Sequence, residues 1–394
     1  MAGVLEGIRV LDFGRYIAGP YCATLLADFG ADVIRIEKRE GSEDRFVTPV
    51  GDDGAGALFL QVNRNKKSVT LDPMRPEGQE VLRRLVATAD VVVANLPAQT
   101  LQAMKLDYAS LCEIRPDIIL TTANAFGDTG PWADRVGFDG VGQVMSGAAY
   151  MTGQGDPPYR AMVNYVDFGT ALHCAFGTLA ALMERQKSGK GQIVQGALLA
   201  TALSFTNATL IEQAVISADR IPTGNLGQTT APSDIYRAKD GWLLCQVTGQ
   251  PLFDRWAKLM GEESWLSDPR FSDDLKRGEN GAVVSERMSR WCAERTTQDA
   301  VDALARAKIP AAPVLSPQQA LDHPHVRAGG FLQDIDYPGL PRPAPVSRAA
   351  LRMSRTPATI HSRPPLLGEH TDMVLGELGF DSATISALRE KGVV

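Results

Sequence analysis

Cysteine is scarce: Cys22, Cys112, Cys174, Cys245 and Cys292 are the five in 394 residues, and no two form a CxxC pair. That scatter excludes a disulfide framework and a zinc ribbon, and fits reduced thiols in a cytoplasmic protein. Histidine is equally sparse. Only His323 and His325 lie close together, and no carboxylate or cysteine completes a ligand spacing around them, so no metal is expected. No extended basic stripe appears in a chain of formal net charge −6, which argues against general affinity for nucleic acid or membrane surfaces. Long apolar runs are missing too: Ala171–Met183 is interrupted by His173, Gly177 and Thr178 and reads as too short to span a bilayer. The opening MAGVLEGIRVLDFG has no basic segment followed by an apolar one, so no signal peptide is expected. Familiar catalytic signatures are also lacking. There is no GxSxG elbow of a serine thioesterase, and the first turn, GRYIAGP at Gly14–Pro20, has neither the Lys-Ser/Thr of a P-loop nor a GxGxxG pattern. A dinucleotide dehydrogenase is therefore disfavoured, although Glu37 falls near where a ribose-binding acid would stand.

What is present is an ordinary globular composition, with 44% hydrophobic and 22% charged residues, enough to bury a sizeable core. The first 125 residues alternate β-branched runs with helical patterns. Strands are predicted at Ile8–Phe13, Val33–Glu37, Ser68–Leu71, Val91–Asn95 and Ile118–Thr122, and helices at Tyr21–Phe29, Glu77–Thr88 and Leu101–Cys112. Such βαβ alternation predicts an α/β fold with a doubly wound, mostly parallel sheet and ligands at the strands' C-terminal ends. A long helix is predicted from Asp167 to about Gln186, closed by the SGKG turn, then a second from Gly196 to Ser217. Beyond Thr223–Thr230, a hairpin around Lys239-Asp240-Gly241 and helices near Pro251, Val284 and Thr297 mark a smaller α+β domain. After His325 the chain is rich in proline and arginine and reads as an extended return over another domain, with a last helix at Asp381–Lys391. The expected division is a large domain of 1–200 plus 329–394 and a small domain of 225–325, with linkers at 201–224 and 326–345.

Three features suggest chemistry. Gly14, Gly19 and Pro20 frame a strand-to-helix turn whose amides could face an anion, or are plain turn residues. Asn63-Arg64-Asn65-Lys66-Lys67, with Lys38-Arg39, is a positive cluster in an acidic chain, either a solvated face or a site for phosphates. Asp167 stands at the start of an apolar helix. It can cap that helix, and the same position suits a nucleophilic carboxylate.

Several phrases of the chain resemble class III CoA-transferases, the family of formyl-CoA transferase and carnitine CoA-transferase. They are the run Leu5–Pro20, GADVIRIEK (Gly30–Lys38), NRNKKSVTLD (Asn63–Asp72), TGPWADRVGFD (Thr129–Asp139), SGAAYMTG (Ser146–Gly153), SGKGQ (Ser188–Gln192), IPAAPV (Ile309–Val314) and PPLLGEHTDMVLGELGF (Pro364–Phe380). The resemblance implies a Rossmann-like large domain, a smaller α+β domain, and two ring-like chains interlocked as a homodimer. It implies Asp167 as nucleophile and coenzyme A contacts at Ile17, Ala18, Lys38, Leu71, Asp72, Pro73, Met74, Asn95, Leu96, Pro97, Arg135, Val136, Gly137 and Phe138. A mobile loop over the site would correspond to Gly224–Gln228, with Gly224, Gly227 and Gln228. Acyl-CoA and carboxylic acids would be the substrates, with no tightly bound cofactor.

The chain departs from the family at Ile17, at Ala103 and in the loop Gly224–Gln228, which is less glycine-rich than that of formyl-CoA transferase. Ile17 replaces a glutamine of formyl-CoA transferase, which argues against oxalate. Ala103 replaces a basic residue, for which Lys105 is the expected substitute. In the racemase branch a histidine occupies the position of Phe138, so a 2-methylacyl-CoA racemase is the alternative reading and lacks half of its two-base pair. A non-catalytic CoA-binding protein is the other alternative. Tyr16, Arg45, Arg160 and the cluster near Arg64 are candidate partners for a second carboxylate on the acceptor, pointing to succinate or a related C4–C6 diacid.

Overall fold

The computed structural model of the chain describes residues 3–51 and 55–394. Six strands form one sheet: β1 (Arg9–Asp12), β2 (Asp32–Glu37), β3 (Lys66–Thr70), β4 (Val91–Ala94), β5 (Ile119–Asn124) and β6 (Ile193–Ala197). Their order is β3-β2-β1-β4-β5-β6 and every neighbouring pair is parallel. This is the doubly wound α/β order, in which the chain reverses direction across the sheet between β1 and β4 and leaves a crevice at the strands' C-terminal ends.

The central strand β4, VVVA, is an unbroken apolar run because both faces of the sheet are covered there. Successive residues go to opposite sides: Val91 and Val93 pack with Val10, Val33 and Ile119 on one face, while Val92 and Ala94 pack with Leu11, Ile34 and Leu120 on the other. The first face is closed by the helices Ala18–Asp28 and Tyr165–Ser188. The second is closed by Pro76–Thr88 and Tyr108–Ile114, and by Val374, Leu375, Ile385 and Leu388 from the last two helices. Each such side chain removed from water contributes roughly 1.5–3 kcal/mol. The C-terminal Val393 and Val394 are buried in the same core.

The chain divides into two compact units, the first of 1–146, 161–211 and 327–394, the second of 147–160 and 212–326. The second contains an antiparallel sheet of β7 (Ser233–Arg237), β8 (Trp242–Gln246) and β9 (Ala311–Pro313), with Phe253, Trp256 and Phe271 at the centre of its core. Residues 147–160 join this unit from a distance in sequence, which the expected boundaries did not include. Two further differences stand out. A strand, β6, occupies Ile193–Ala197 where the sequence suggested only a turn and a helix, and the helix starts at Leu198. In the Pro- and Arg-rich return, β10 (Leu332–Ile335) and β11 (Ala344–Ser347) pair as an antiparallel ladder.

Candidate active site

Asp167 lies in the first turn of the helix Tyr165–Ser188. Its neighbour Val166 packs against Ala125, just past β5, and Leu198, just past β6, which fixes this helix start at the C-terminal edge of the sheet. The helix begins two residues before Asp167, so Asp167 is not its cap. The capping group comes from 28 residues earlier: one Asp139 carboxylate oxygen accepts the N–H of Val166 at 2.8 Å and of Asp167 at 3.1 Å. Asp167 is 8% exposed, and among the described residues nothing donates a hydrogen bond to its carboxylate. Burial, seconded by the nearby charge of Asp139, raises its pKa to about 7. A helix N-terminus favours the anion, but desolvation opposes it and wins here. The outcome is a carboxylate of high basicity and no internal partner, the state a nucleophile needs.

At the other side of the same edge a cavity of about 350 Å³ opens at the ends of β1–β3. Lys38, Leu71, Asp72 and Pro73, all expected at the coenzyme, line it, together with Arg15, Arg39, Arg75, Met104 and Gly392. Arg15 was not anticipated; its guanidinium is held on the carbonyls of Phe13 and Gly14 at 3.1 and 2.9 Å. Lys38 is engaged by Glu43 in an exposed ion pair. Met74 is exposed beside the cavity without lining it, and Lys105, the expected substitute for the basic residue at Ala103, does not line it either. The cationic groups that do line it are Arg15, Lys38, Arg39 and Arg75.

Between cavity and carboxylate lies the first turn. Asn95 clamps it, accepting the Arg15 N–H at 2.6 Å and donating to the Arg15 carbonyl at 2.8 Å. The turn is tight enough that a Cβ on Gly14 would lie 2.6 Å from Pro20 Cδ and one on Gly19 2.9 Å from Gly14 Cα, which accounts for both glycines by packing. Tyr16 adopts φ +60°, and its ring meets Phe138 edge to face at 5.3 Å. Ile17 and Ala18 are buried at the start of the helix, and Leu96 packs onto the core while Pro97 precedes the helix Ala98–Ala103. Arg135 stacks on Trp132 at 4.0 Å, and Val136 and Phe138 are exposed beside it. At Gly137 a Cβ would crowd Ala125 at 2.9 Å.

Some expectations fail. The positive cluster at Asn63–Lys67 is no phosphate site: Arg64 is buried against Asp28, its closer contact 2.6 Å, and Lys66 is buried on Asp12 at 2.7 Å, with three further oxygens around it. Arg45 is likewise buried on Glu37 at 2.6 Å. Neither Arg45 nor Arg64 is available to a substrate carboxylate. The helix Tyr165–Ser188, with mean hydropathy 1.3, is long and apolar enough to cross a membrane, contrary to the reading of its sequence as too short. It is instead a core helix, packed on β5, β6 and Ala18–Asp28. The Gly224–Gln228 loop belongs to the second unit, where the Gly224 N–H donates to Gly153 O and the Gly227 N–H to Ser233 O at 2.6 and 2.7 Å. Among the described residues no three metal-ligating side chains cluster.

A sheet of this order with a basic aspartate and a cationic cavity at one edge is compatible with covalent transfer from an anionic carrier, and the class of enzyme is shown by similarity to known proteins. The sequence matches CoA-transferase family III over residues 5–371, and the chain belongs to that family. It is 32% identical to the succinyl-CoA–D-citramalate CoA-transferase of Chloroflexus aurantiacus, over 99% of this chain and 98% of that one. It is 33% identical to the beta subunit of the succinyl-CoA–L-malate CoA-transferase of the same organism, at the same coverage. A crystal structure of a CAIB/BAIF family protein from Brucella suis superimposes with TM-score 0.84 at 31% identity, covering 96% of this chain and all of that one. The protein is thus a CoA-transferase enzyme, moving coenzyme A from an acyl-CoA donor to a carboxylic acid, rather than a racemase or a non-catalytic binder.

Proposed function

We propose that this enzyme transfers coenzyme A between dicarboxylic acids, with succinyl-CoA or a related C4–C6 diacyl-CoA as donor, through covalent intermediates on Asp167. The observation that carries the reading is the buried Asp167 carboxyl, raised to about 7 by burial and Asp139 and free of internal donors. An Asp167 oxygen attacks the thioester carbonyl and the C–S bond breaks, giving a mixed anhydride and CoA thiolate. The thiolate attacks the Asp167 carbonyl, forming an aspartyl-CoA thioester and releasing the donor carboxylate. The acceptor carboxylate attacks the same carbonyl and expels thiolate, which then takes the acceptor's acyl group and frees Asp167. The anhydride is more activated than either thioester and is a transient, but the cycle exchanges one CoA thioester for another, so the overall transfer is close to balanced and no ATP is consumed.

The nucleotide end of CoA would occupy the cavity at β1–β3, with Lys38 and Arg15 near its phosphates, and the pantetheine arm would cross the Asn95-clamped turn toward Asp167. The acids named for the relatives, citramalate and malate, carry two carboxylates each, which supports a diacid here. Tyr16, whose ring packs on Phe138, is the candidate hydroxyl for the second one. Leu172, Phe176 and Met183 leave an apolar stripe exposed on the Asp167 helix, which a second copy of the chain would cover in the interlocked homodimer of this family. Light scattering should then give twice 42.4 kDa; a monomer would count against it. Five free cysteines suit a cytoplasmic enzyme.

Incubating the enzyme with succinyl-CoA and a panel of mono- and dicarboxylic acids, read by mass, should yield diacyl-CoA products preferentially. Products from monocarboxylates alone would overturn the diacid assignment. In the same assay Lys38→Ala should raise the KM for acyl-CoA about tenfold with kcat little changed, the low end for a charge-assisted phosphate contact because this side chain is half exposed. An unchanged KM would remove Lys38 from the coenzyme site.

A further inference from the structure

Behind Asp167 lies a polar pair that the transfer chemistry itself does not use. Gln143 is 1% exposed and sits one turn after Asp139 on the helix Asp139–Met145. Its amide nitrogen donates to Asp139 Oδ1 and to the carbonyls of Ala161 and Val163, and its oxygen accepts the Ala161 N–H at 2.8 Å. Residues 161–163 are the chain that leads into the Asp167 helix. Gln143 therefore ties together the cap of that helix and its approach, while the other Asp139 oxygen grips the Val166 and Asp167 amides. A cap alone would need only the carboxylate. A buried glutamine with both ends engaged by one segment fixes that segment's position.

We propose that Gln143 and Asp139 are positioning residues for the reaction: Gln143 orients the Asp139 carboxylate, and Asp139 holds the helix start so that the Asp167 carboxyl keeps one position as it is acylated and released. The proposal rests on Asp167 being the nucleophile. The position also has an electrostatic side, since Asp139 places a negative charge beside Asp167 and adds to the effect of burial. The groups facing this site are few. The Asp167 helix itself contributes Tyr165 and His173, and the Ala18–Asp28 helix contributes Tyr21, whose ring meets Phe168 at 5.0 Å, with Asp28 at its far end paired to Arg64. β5 and β6 carry no charged residue, and the helix Leu198–Ile216 carries only Glu212, three turns beyond Thr201. Asp139 is thus the anion beside Asp167.

The test is steady-state kinetics of the full-length enzyme across pH, with succinyl-CoA and a diacid acceptor. Asp139→Asn keeps an oxygen to accept the two amides but removes the charge and, presenting an NH2 where Gln143 donates, loses the Gln143 bond, so the acidic limb of kcat/KM should move to lower pH while kcat at the optimum falls about as far as in Gln143→Leu. Asp139→Ala and Gln143→Leu lose the positioning itself, and each should lower kcat about a hundredfold with the KM for acyl-CoA unchanged. A merely structural role would reduce the folded fraction without lowering kcat per folded enzyme. An Asp139→Asn profile superimposed on wild type, or a Gln143→Leu kcat within twofold, overturns the proposal. If Gln143→Leu fails to fold by circular dichroism, the near-isosteric Asp139→Asn decides alone. Full activity of Asp167→Asn would mean instead that the nucleophile reading had failed.

Discussion

Asparagine at position 167 lowers the transfer rate at least about a thousandfold while acyl-CoA still binds, because the amide keeps the shape of the carboxyl but forms no anhydride. Wild-type enzyme mixed with donor alone acquires a hydroxylamine-sensitive mass adduct on the peptide carrying Asp167, and the variant does not. The same substitution changes stability in the opposite sense. The folded pKa of about 7 lies above the ordinary carboxylate range, so between about pH 4 and pH 7 the native state holds a proton that the unfolded chain has released. Wild-type stability therefore falls as pH rises through that window, by on the order of 3–4 kcal/mol. A neutral asparagine does not respond. Asp167→Asn should accordingly melt at a higher temperature than wild type at pH 8, with the difference shrinking as the pH is lowered toward 4. Thermal denaturation at the two pH values checks this, and near-normal turnover by the variant would show that another group is the nucleophile.

The reach of the sequence differs sharply between the sheet and the site. The apolar run Val91–Ala94 announces a buried parallel strand because its alternation is erased by cover on both faces, and five of the six strands were legible to within about two residues. β6 was not: IVQGA has two β-branched residues and a glycine, and as an edge strand it depends on its pairing with β5 rather than on its own composition. Asp167 was visible through its place before an apolar helix and through the family phrases around it. Its cap was not, since Asp139 lies 28 residues away and only the fold brings its carboxylate to the helix start. The error at Asn63–Lys67 has the same origin. A local run of charge reads as solvated or ligand-binding, but its counter-ions, Asp12 and Asp28, arrive from the first strand and helix and bury it. Gly392 at the cavity wall, delivered by the C-terminal tail, also has no local signal.

Removing the Arg35 guanidinium should destabilise the enzyme severely. Arg35 stands on β2, fully buried, with two bonds to Asp44 at 2.9 and 2.8 Å, Glu37 at 3.4 Å and Asp12 at 3.9 Å. Burial pushes the Glu37 carboxyl up, yet Arg35 and Arg45 outweigh it and hold the pKa at about 2. Burial lowers Lys66 to about 8 in spite of Asp12, so the lysine is the weaker cation and cannot replace the arginine. Arg35→Met leaves the three carboxylates short of one positive charge in a site closed to water, a change that costs about 3–5 kcal/mol when one partner of a buried pair is lost. That is a large part of a stability of about 5–15 kcal/mol, and should lower the melting temperature by roughly 5–10 °C. Converting the stranded carboxylate as well, in Arg35→Met with Asp44→Leu, should recover part of the loss, because an apolar pair of similar volume carries no desolvation penalty. The consequence reaches the site. Asp44 and Arg45 belong to the turn Glu43–Phe46, whose Glu43 engages Lys38, and Glu37 itself lines the cavity. Surviving Arg35→Met enzyme should therefore bind acyl-CoA more weakly, with a raised KM. A melting temperature within a few degrees of wild type would show that the network is dispensable and that the cavity wall is held by other contacts.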